Sequence, residues 1–329
     1  MSPLAERLRA EIRREGPISF RRFMEAALYD PAEGYYRRAS DPFGSRGDFY
    51  TAEQIQPVFG LLMAARVRSL YQEMGAPPDF TVVELGAGRC EMAAAFSEWR
   101  YVPVDLARGA MPERFRGVVF ANEFFDALPV EAVIFRDGCF HEMRVACAER
   151  FVWATGPPVR AEVADYLRRY FPPPTGGALF EVNLDALAWL ERIACALQAG
   201  FVLTIDYGYT RGESVRFPRG SLMSYRRHQA DEDVLQDPGE RDITAHVAFT
   251  ALAEHGARVG LDTVRCETLT QTLLTAGEAD QFAGALAAPT RAEEVKRRLQ
   301  LKSLLFGMGE TFRTLLQRAG GAHAGLSAK

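Results

Sequence analysis

Lysine is nearly missing from this chain of 329 residues. It stands only at positions 296, 302 and 329, although Lys and Arg together number 39. Asp and Glu number 43, and the formal charge is −4. A protein that grips nucleic acid needs a basic surface to release counterions from phosphate, so this balance argues against a nucleic-acid partner. Cysteine is sparse too. The five (Cys90, Cys139, Cys147, Cys195, Cys266) are scattered and never spaced C-x-x-C. That supports neither a disulfide framework nor a zinc site, and fits a reducing compartment. His228, His246 and His255 lack the helical spacing of a metal pair, so no metal is expected. No apolar run approaches the ~20 residues that span a bilayer. The first residues mix Glu6, Glu11 and Glu15 with Leu4, Leu8 and Ile12. A secretory signal needs an apolar core and a transit peptide avoids acids. An ordinary amphipathic helix is expected instead, in a cytoplasmic protein with no membrane partner.

What is present describes a packed globular protein: 48% hydrophobic and 25% charged residues. Helical patterns cover 3–15, 19–28 and 53–74, with Ser19 placed to N-cap the second. Between them, 30–51 reads as an ordered loop. From Thr81 the pattern alternates. Strand-like runs at 81–85, 101–105, 117–121, 179–182 and 201–206 are interleaved with helical stretches at 90–98, 160–170 and 184–198. Such alternation predicts a parallel sheet with helices on its faces. Asp137-Gly138 signals a hairpin inside a β insertion near 131–155, and 207–245 reads as a lid. Further on, 263–269 reads as a strand, 291–305 as a helix and 310–317 as a closing strand. The expected organisation is an N-terminal helical cap over 1–80 and a Rossmann-like α/β domain over 81–329.

Two segments carry the chemistry. In Thr81-Val82-Val83-Glu84-Leu85-Gly86-Ala87-Gly88-Arg89, a buried strand runs into a G-x-G turn. Glycine lets the backbone turn tightly beside a ligand. A dinucleotide fingerprint would want a further glycine at 91, where Glu91 stands and would repel a pyrophosphate. An acid before the turn, Glu84, suits S-adenosylmethionine, whose sulfonium is positive and which has no phosphates. Asp105, about 20 residues on at the next strand end, is placed to take ribose hydroxyls. The other segment is Val118-Val119-Phe120-Ala121-Asn122-Glu123-Phe124-Phe125-Asp126-Ala127-Leu128-Pro129. Ligands of open α/β sheets sit outside the carboxyl ends of the strands, which puts Asn122, Glu123 and Asp126 at the crevice. A carboxylate there can hold a polar nucleophile; Glu123 and Asp126 are the candidate catalytic residues, with Asn122 in support. Asp48 and Asp206 are expected to line the same cleft with Glu84, Gly86, Gly88 and Asp105.

With these segments the chain resembles the MidA-like family of S-adenosylmethionine-dependent methyltransferases. The resemblance rests further on Gly16-Pro17-Ile18-Ser19-Phe20, Gly34-Tyr35-Tyr36, Gly47-Asp48-Phe49-Tyr50-Thr51, Ile205-Asp206-Tyr207-Gly208, Asp242-Ile243-Thr244 and Met308-Gly309-Glu310-Thr311-Phe312. It implies a Rossmann-like methyltransferase sheet, S-adenosylmethionine as cofactor and methyl transfer to a protein side chain. In mitochondrial members, which assist respiratory complex I assembly, that side chain is an arginine of a complex subunit. The chain departs from the family pattern at Cys90-Glu91, where a further glycine is usual, and around His246-Val247-Ala248-Phe249, where acids are usual. The stretch Arg89–Val118 is short, as if a strand–helix unit were missing. Two other readings stay open: a non-catalytic assembly factor that keeps the fold, and, against Glu91, a dinucleotide oxidoreductase. A homodimer through an apolar face of the cap is a further expectation.

Overall fold

The computed structural model describes residues 2–38, 55–106, 108–227 and 229–320. Asp48, with the rest of Gly47–Thr51, and His228 lie outside the described residues. In chain order the strands are β1 (Ile18–Ser19), β2 (Phe80–Leu85), β3 (Arg100–Val104), β4 (Phe115–Asn122), β5 (Glu131–Arg136), β6 (Cys139–Cys147), β7 (Phe151–Pro158), β8 (Leu179–Val182), β9 (Leu197–Tyr209), β10 (Met223–Arg226), β11 (Gln229–Asp231), β12 (Asp242–Thr244), β13 (Val247–Ala248), β14 (Leu261–Thr268) and β15 (Phe312–Ala319). The helices are α1 (Pro3–Glu15), α2 (Phe20–Tyr29), α3 (Val58–Glu73), α4 (Ala161–Tyr170), α5 (Leu184–Ala196), α6 (Phe249–Arg258), α7 (Leu269–Glu278), α8 (Ala283–Leu286) and α9 (Arg291–Ser303).

The chain forms two compact units, each discontinuous in sequence: 1–50, 126–186 and 209–251 in one, 51–125, 187–208 and 252–329 in the other. The first 80 residues are therefore shared between the units rather than gathered into one cap. In the first unit, α1 begins where Ser2 Oγ accepts the Ala5 N–H at 3.2 Å, with Pro3 in the first turn. Leu4, Leu8 and Ile12 recur one turn apart and are buried. Burial of each contributes about 1.5–3 kcal/mol. Ser19 caps α2 as expected, accepting from Arg22 N–H at 3.2 Å. β1 pairs antiparallel with β6, Ile18 opposite Val145, which ties this helical pair to a sheet of order β1-β6-β5-β8 with β7 beside β6. Their apolar faces merge in one core with Phe20, Phe23, Val130, Val145 and Phe151. A short tight hairpin joins β5 to β6: Asp137 (φ 53°) and Gly138 (φ 77°) are both left-handed, the geometry that matches the twist of paired strands. The segment expected as a lid carries a three-stranded sheet, β11-β10-β12.

The second unit holds the main sheet, in the order β14-β15-β9-β4-β2-β3. β3, β2, β4 and β9 run parallel, and β15 and β14 close the sheet antiparallel. Every residue of β2 is buried, as a parallel strand covered on both faces requires. Phe59, Leu62 and Met63 of α3 pack with Val82, Val118, Phe120, Leu203 and Leu269 in one core. The expected helix over 90–98 is absent: the segment is a run of turns. Cys90 is left-handed (φ 59°) where the helix would begin. The bonds there mix Ala93 N–H to Cys90 O and Trp99 N–H to Phe96 O with a single four-residue bond, Phe96 N–H to Met92 O. A helix needs an unbroken four-residue ladder, and a left-handed residue at its start prevents nucleation. Met92 and Phe96 are still buried one turn apart, so the helical spacing reported which side faces the core and not how the backbone bonds. Among the described residues no helix joins β3 to β4, and β3 is the edge of the sheet.

Candidate cofactor site

Register brings the parallel strands to one end together. Leu85 pairs with Val104 on one side and Ala121 on the other, and Asn122 pairs with Ile205. The turns after β2, β3 and β4 therefore leave the sheet side by side. Glu84, next to last in β2, is fully buried and accepts a hydrogen bond from the Tyr101 hydroxyl of β3. Burial and then the Glu84 charge push the Tyr101 phenol well above its ordinary range, so it remains the donor.

The glycine turn is held by backbone bonds. Gly86 (φ 69°) and Gly88 (φ 44°) are left-handed. The N–H groups of Gly86 and Ala87 both point at Val104 O, at 2.9 and 3.3 Å. Asp105 accepts from Gly88 N–H at 2.6 Å with one carboxylate oxygen and from Leu106 N–H at 2.6 Å with the other. It fastens the turn that follows β2 to the turn that follows β3. A carboxylate has about four acceptor sites, so two remain beyond these backbone bonds. Arg108 reinforces the same loop, donating to Gly88 O at 3.3 Å and Cys90 Sγ at 2.7 Å.

The acidic turn lies against the glycine turn. A Cβ built on Gly86 would stand 3.0 Å from Phe124 Cδ2. Phe124 is braced edge-to-face by Phe125 and Trp189, with centroids 5.1 and 5.2 Å away. Glu123 leaves β4 in a left-handed conformation (φ 49°), its N–H bonded to Ile205 O at 2.9 Å. Its carboxylate is half-buried and accepts from Asn122 Nδ2 at 3.3 Å. Asn122 Oδ1 is buried and accepts no hydrogen bond among the described residues.

The structure thus gathers Glu84, Gly86, Gly88, Asp105, Asn122 and Glu123. Asp206 lies beneath the acidic turn. β9 continues through it rather than ending at Ile205, its side chain is fully buried, and it accepts Phe125 N–H at 2.9 Å, anchoring the acidic turn from behind. Asp126 is buried in the other unit, where its carbonyl accepts Ala245 N–H at 3.0 Å. Asp48 lies outside the described residues. Sequence reasoning missed Tyr101, Arg108 and Phe124. Arg108 had a signal as a cation three residues past Asp105, and Phe124 as the aromatic next to Glu123.

A glycine turn beside an aromatic, with Glu84 buried in its strand, Asp105 clasping it and Arg108 spent on Gly88 O and Cys90 Sγ, fits a nucleoside cofactor without phosphates. That is a site of the methyltransferase class. Residues 94–266 match the family model of S-adenosyl-L-methionine-dependent methyltransferases, and the chain belongs to that family. It is 31% identical to a Burkholderia thailandensis protein crystallised with S-adenosyl-homocysteine, with a TM-score of 0.84 over 97% of this chain and 93% of that one. It is 35% identical to the rat mitochondrial Protein arginine methyltransferase NDUFAF7, covering 77% of this chain and 69% of the relative. The Drosophila melanogaster homolog is 29% identical, at 75% and 68% coverage. The oxidoreductase reading falls with this membership. The cytoplasmic placement is also corrected: these relatives are mitochondrial by name. The acids of the first helix, Glu6, Glu11 and Glu15, lie away from its buried apolar face and do not report a compartment.

Proposed function

We propose that this chain methylates a protein side chain and that the acceptor is arginine. The observation that carries the reading is Glu123: a half-buried carboxylate at the crevice end of β4, steered by Asn122 and standing in the turn that packs on Gly86. The names of the mitochondrial relatives support the same acceptor. When bound, S-adenosylmethionine supplies an electrophilic methyl group. The protein's task is alignment. A guanidinium stays protonated at neutral pH, so its charge must be paired before one nitrogen can act as a nucleophile. Glu123 can pair with it, fix its plane and receive the proton that the nitrogen gives up. Asn122 holds Glu123 in place through its amide N–H. Asp105 and Glu84 keep the glycine turn and its strand in register.

The experiment is transfer of a tritiated methyl group to lysate from cells lacking the protein, followed by identification of the labelled band and residue. Glu123→Gln should retain cofactor binding and lose transfer by about a hundredfold or more, the usual weight of one general base. Label on lysine, or full transfer by Glu123→Gln, refutes the assignment.

A further inference from the structure

Three of the most exposed large apolar side chains among the described residues lie close together late in the chain. Val295 is 51% exposed, Leu299 60% and Phe306 77%. The first two sit one turn apart on α9, and Phe306 is on the π-helical turn Leu304–Met308 that continues it. The inward side of α9 is committed: Gln300 donates to Gln56 O at 2.6 Å, Arg297 donates to Ala287 O, and Leu304 is fully buried. The apolar stripe is therefore the outward face.

Its charge sets it apart from the rest of the chain. α9 carries five cations, Arg291, Lys296, Arg297, Arg298 and Lys302, within a protein of net charge −4. Its two carboxylates are both engaged, Glu294 with Arg298 at 2.6 Å and Glu293 with the Thr290 hydroxyl at 3.0 Å. Lys296 and Lys302, two of the three lysines in the whole sequence, are exposed and make no ion pair among the described residues. A second copy is a poor occupant. Setting Val295 of one copy against Phe306 of the other opposes Leu299 to Lys302 and crowds the lysines of both on one seam, where they repel. The face calls for an anionic surface with an apolar layer just beneath it.

We propose that this face seats the protein peripherally on an anionic phospholipid bilayer. Leu299 and Phe306 enter the headgroup boundary, and Lys296 and Lys302 extend their ammonium groups to lipid phosphates. The proposal is independent of the methyl-transfer reading, and it departs from the absence of a membrane partner expected from the sequence. The test is co-sedimentation of the full chain with phosphatidylcholine vesicles, with and without phosphatidylglycerol. Binding is expected only to the anionic vesicles, with release by salt. Replacing Lys296 and Lys302 by Gln should weaken partitioning by about fivefold per lysine. Leu299→Ser with Phe306→Ser should lose it, with unchanged circular dichroism. No sedimentation, equal binding to both vesicle types, or undiminished binding by the variants overturns the proposal. So does light scattering that shows a dimer dissolved by the Leu299/Phe306 variant, or an acidic protein that takes this face while vesicles do not.

Discussion

Gly86→Ala tests the centre of the cofactor site. Gly86 has φ 69°, and its Cβ would lie 3.0, 3.6 and 3.7 Å from Phe124 Cδ2, Cβ and Cγ. A left-handed alanine costs about 1–2 kcal/mol in backbone strain. Phe124 cannot swing freely, because Phe125 and Trp189 brace it at 5.1 and 5.2 Å. Forcing it off its rotamer adds about 0.5–1.5 kcal/mol. The variant should lose about 1.5–3.5 kcal/mol of stability by urea unfolding. If the glycine turn and Phe124 form the cofactor wall, a mismatch of about 1.4 kcal/mol on binding means tenfold weaker affinity for S-adenosylmethionine and S-adenosyl-homocysteine by calorimetry. Gly75→Ala separates strain from site: its φ is 78°, and nothing lies within 4 Å of its Cβ. It should lose the strain energy and keep the affinity. Wild-type affinity in Gly86→Ala, or an equal loss in Gly75→Ala, would refute the reasoning.

Tyr101→Phe removes the hydroxyl that donates to Glu84, a carboxylate with 0% exposure. It should cost about 1.5–3 kcal/mol, and an unchanged urea midpoint would show that this bond carries no stability. Asp105→Asn turns an amide N–H₂ toward Gly88 N–H or Leu106 N–H, and cofactor affinity should fall about tenfold; calorimetry with wild-type heat would count against Asp105 as the clasp. His246 is held by burial at a pKa of about 4, below its ordinary 6.5. Its native form resists the proton that the unfolded chain takes up. Its contribution is therefore complete above pH 6.5 and declines toward pH 4, by about 3 kcal/mol at most. His246→Asn should flatten that part of the stability–pH curve, and an identical slope in both proteins would contradict the burial argument.

Several parts of this structure were legible before folding was considered. The strands over 81–85, 117–121 and 179–182, the Ser19 cap and the Asp137-Gly138 hairpin are local: each rests on residues within one strand, turn or helix end. The G-x-G turn and the Asn122-Glu123 turn were legible for the same reason, since an apolar run ending in glycine or in acids marks where a buried strand reaches solvent. Asp206 falls within β9 and not after it because strand length depends on pairing. β15 holds β9 in the ladder past Ile205, with Arg313 opposite Asp206 and Phe312 opposite Tyr207. The 90–98 segment was misread because an apolar period of one helical turn arises equally from bonded helix and from successive turns over a core. The assignment of 1–80 to one cap failed because β1 adds to β6, more than a hundred residues later.

The order of residues along the chain determined which groups could meet a cofactor: two glycines with an acid before them, and an amide–acid pair after a buried strand. Those are one-dimensional facts, set by covalent neighbours and by the two-residue period of a strand. Which acids stand at the end of the sheet, which stay beneath it, and that Phe124 of one turn packs beside Gly86 of another were decided only by the folded sheet. Hydrogen-bond register between distant strands sets those distances, and register is a property of pairs of segments that no single segment contains.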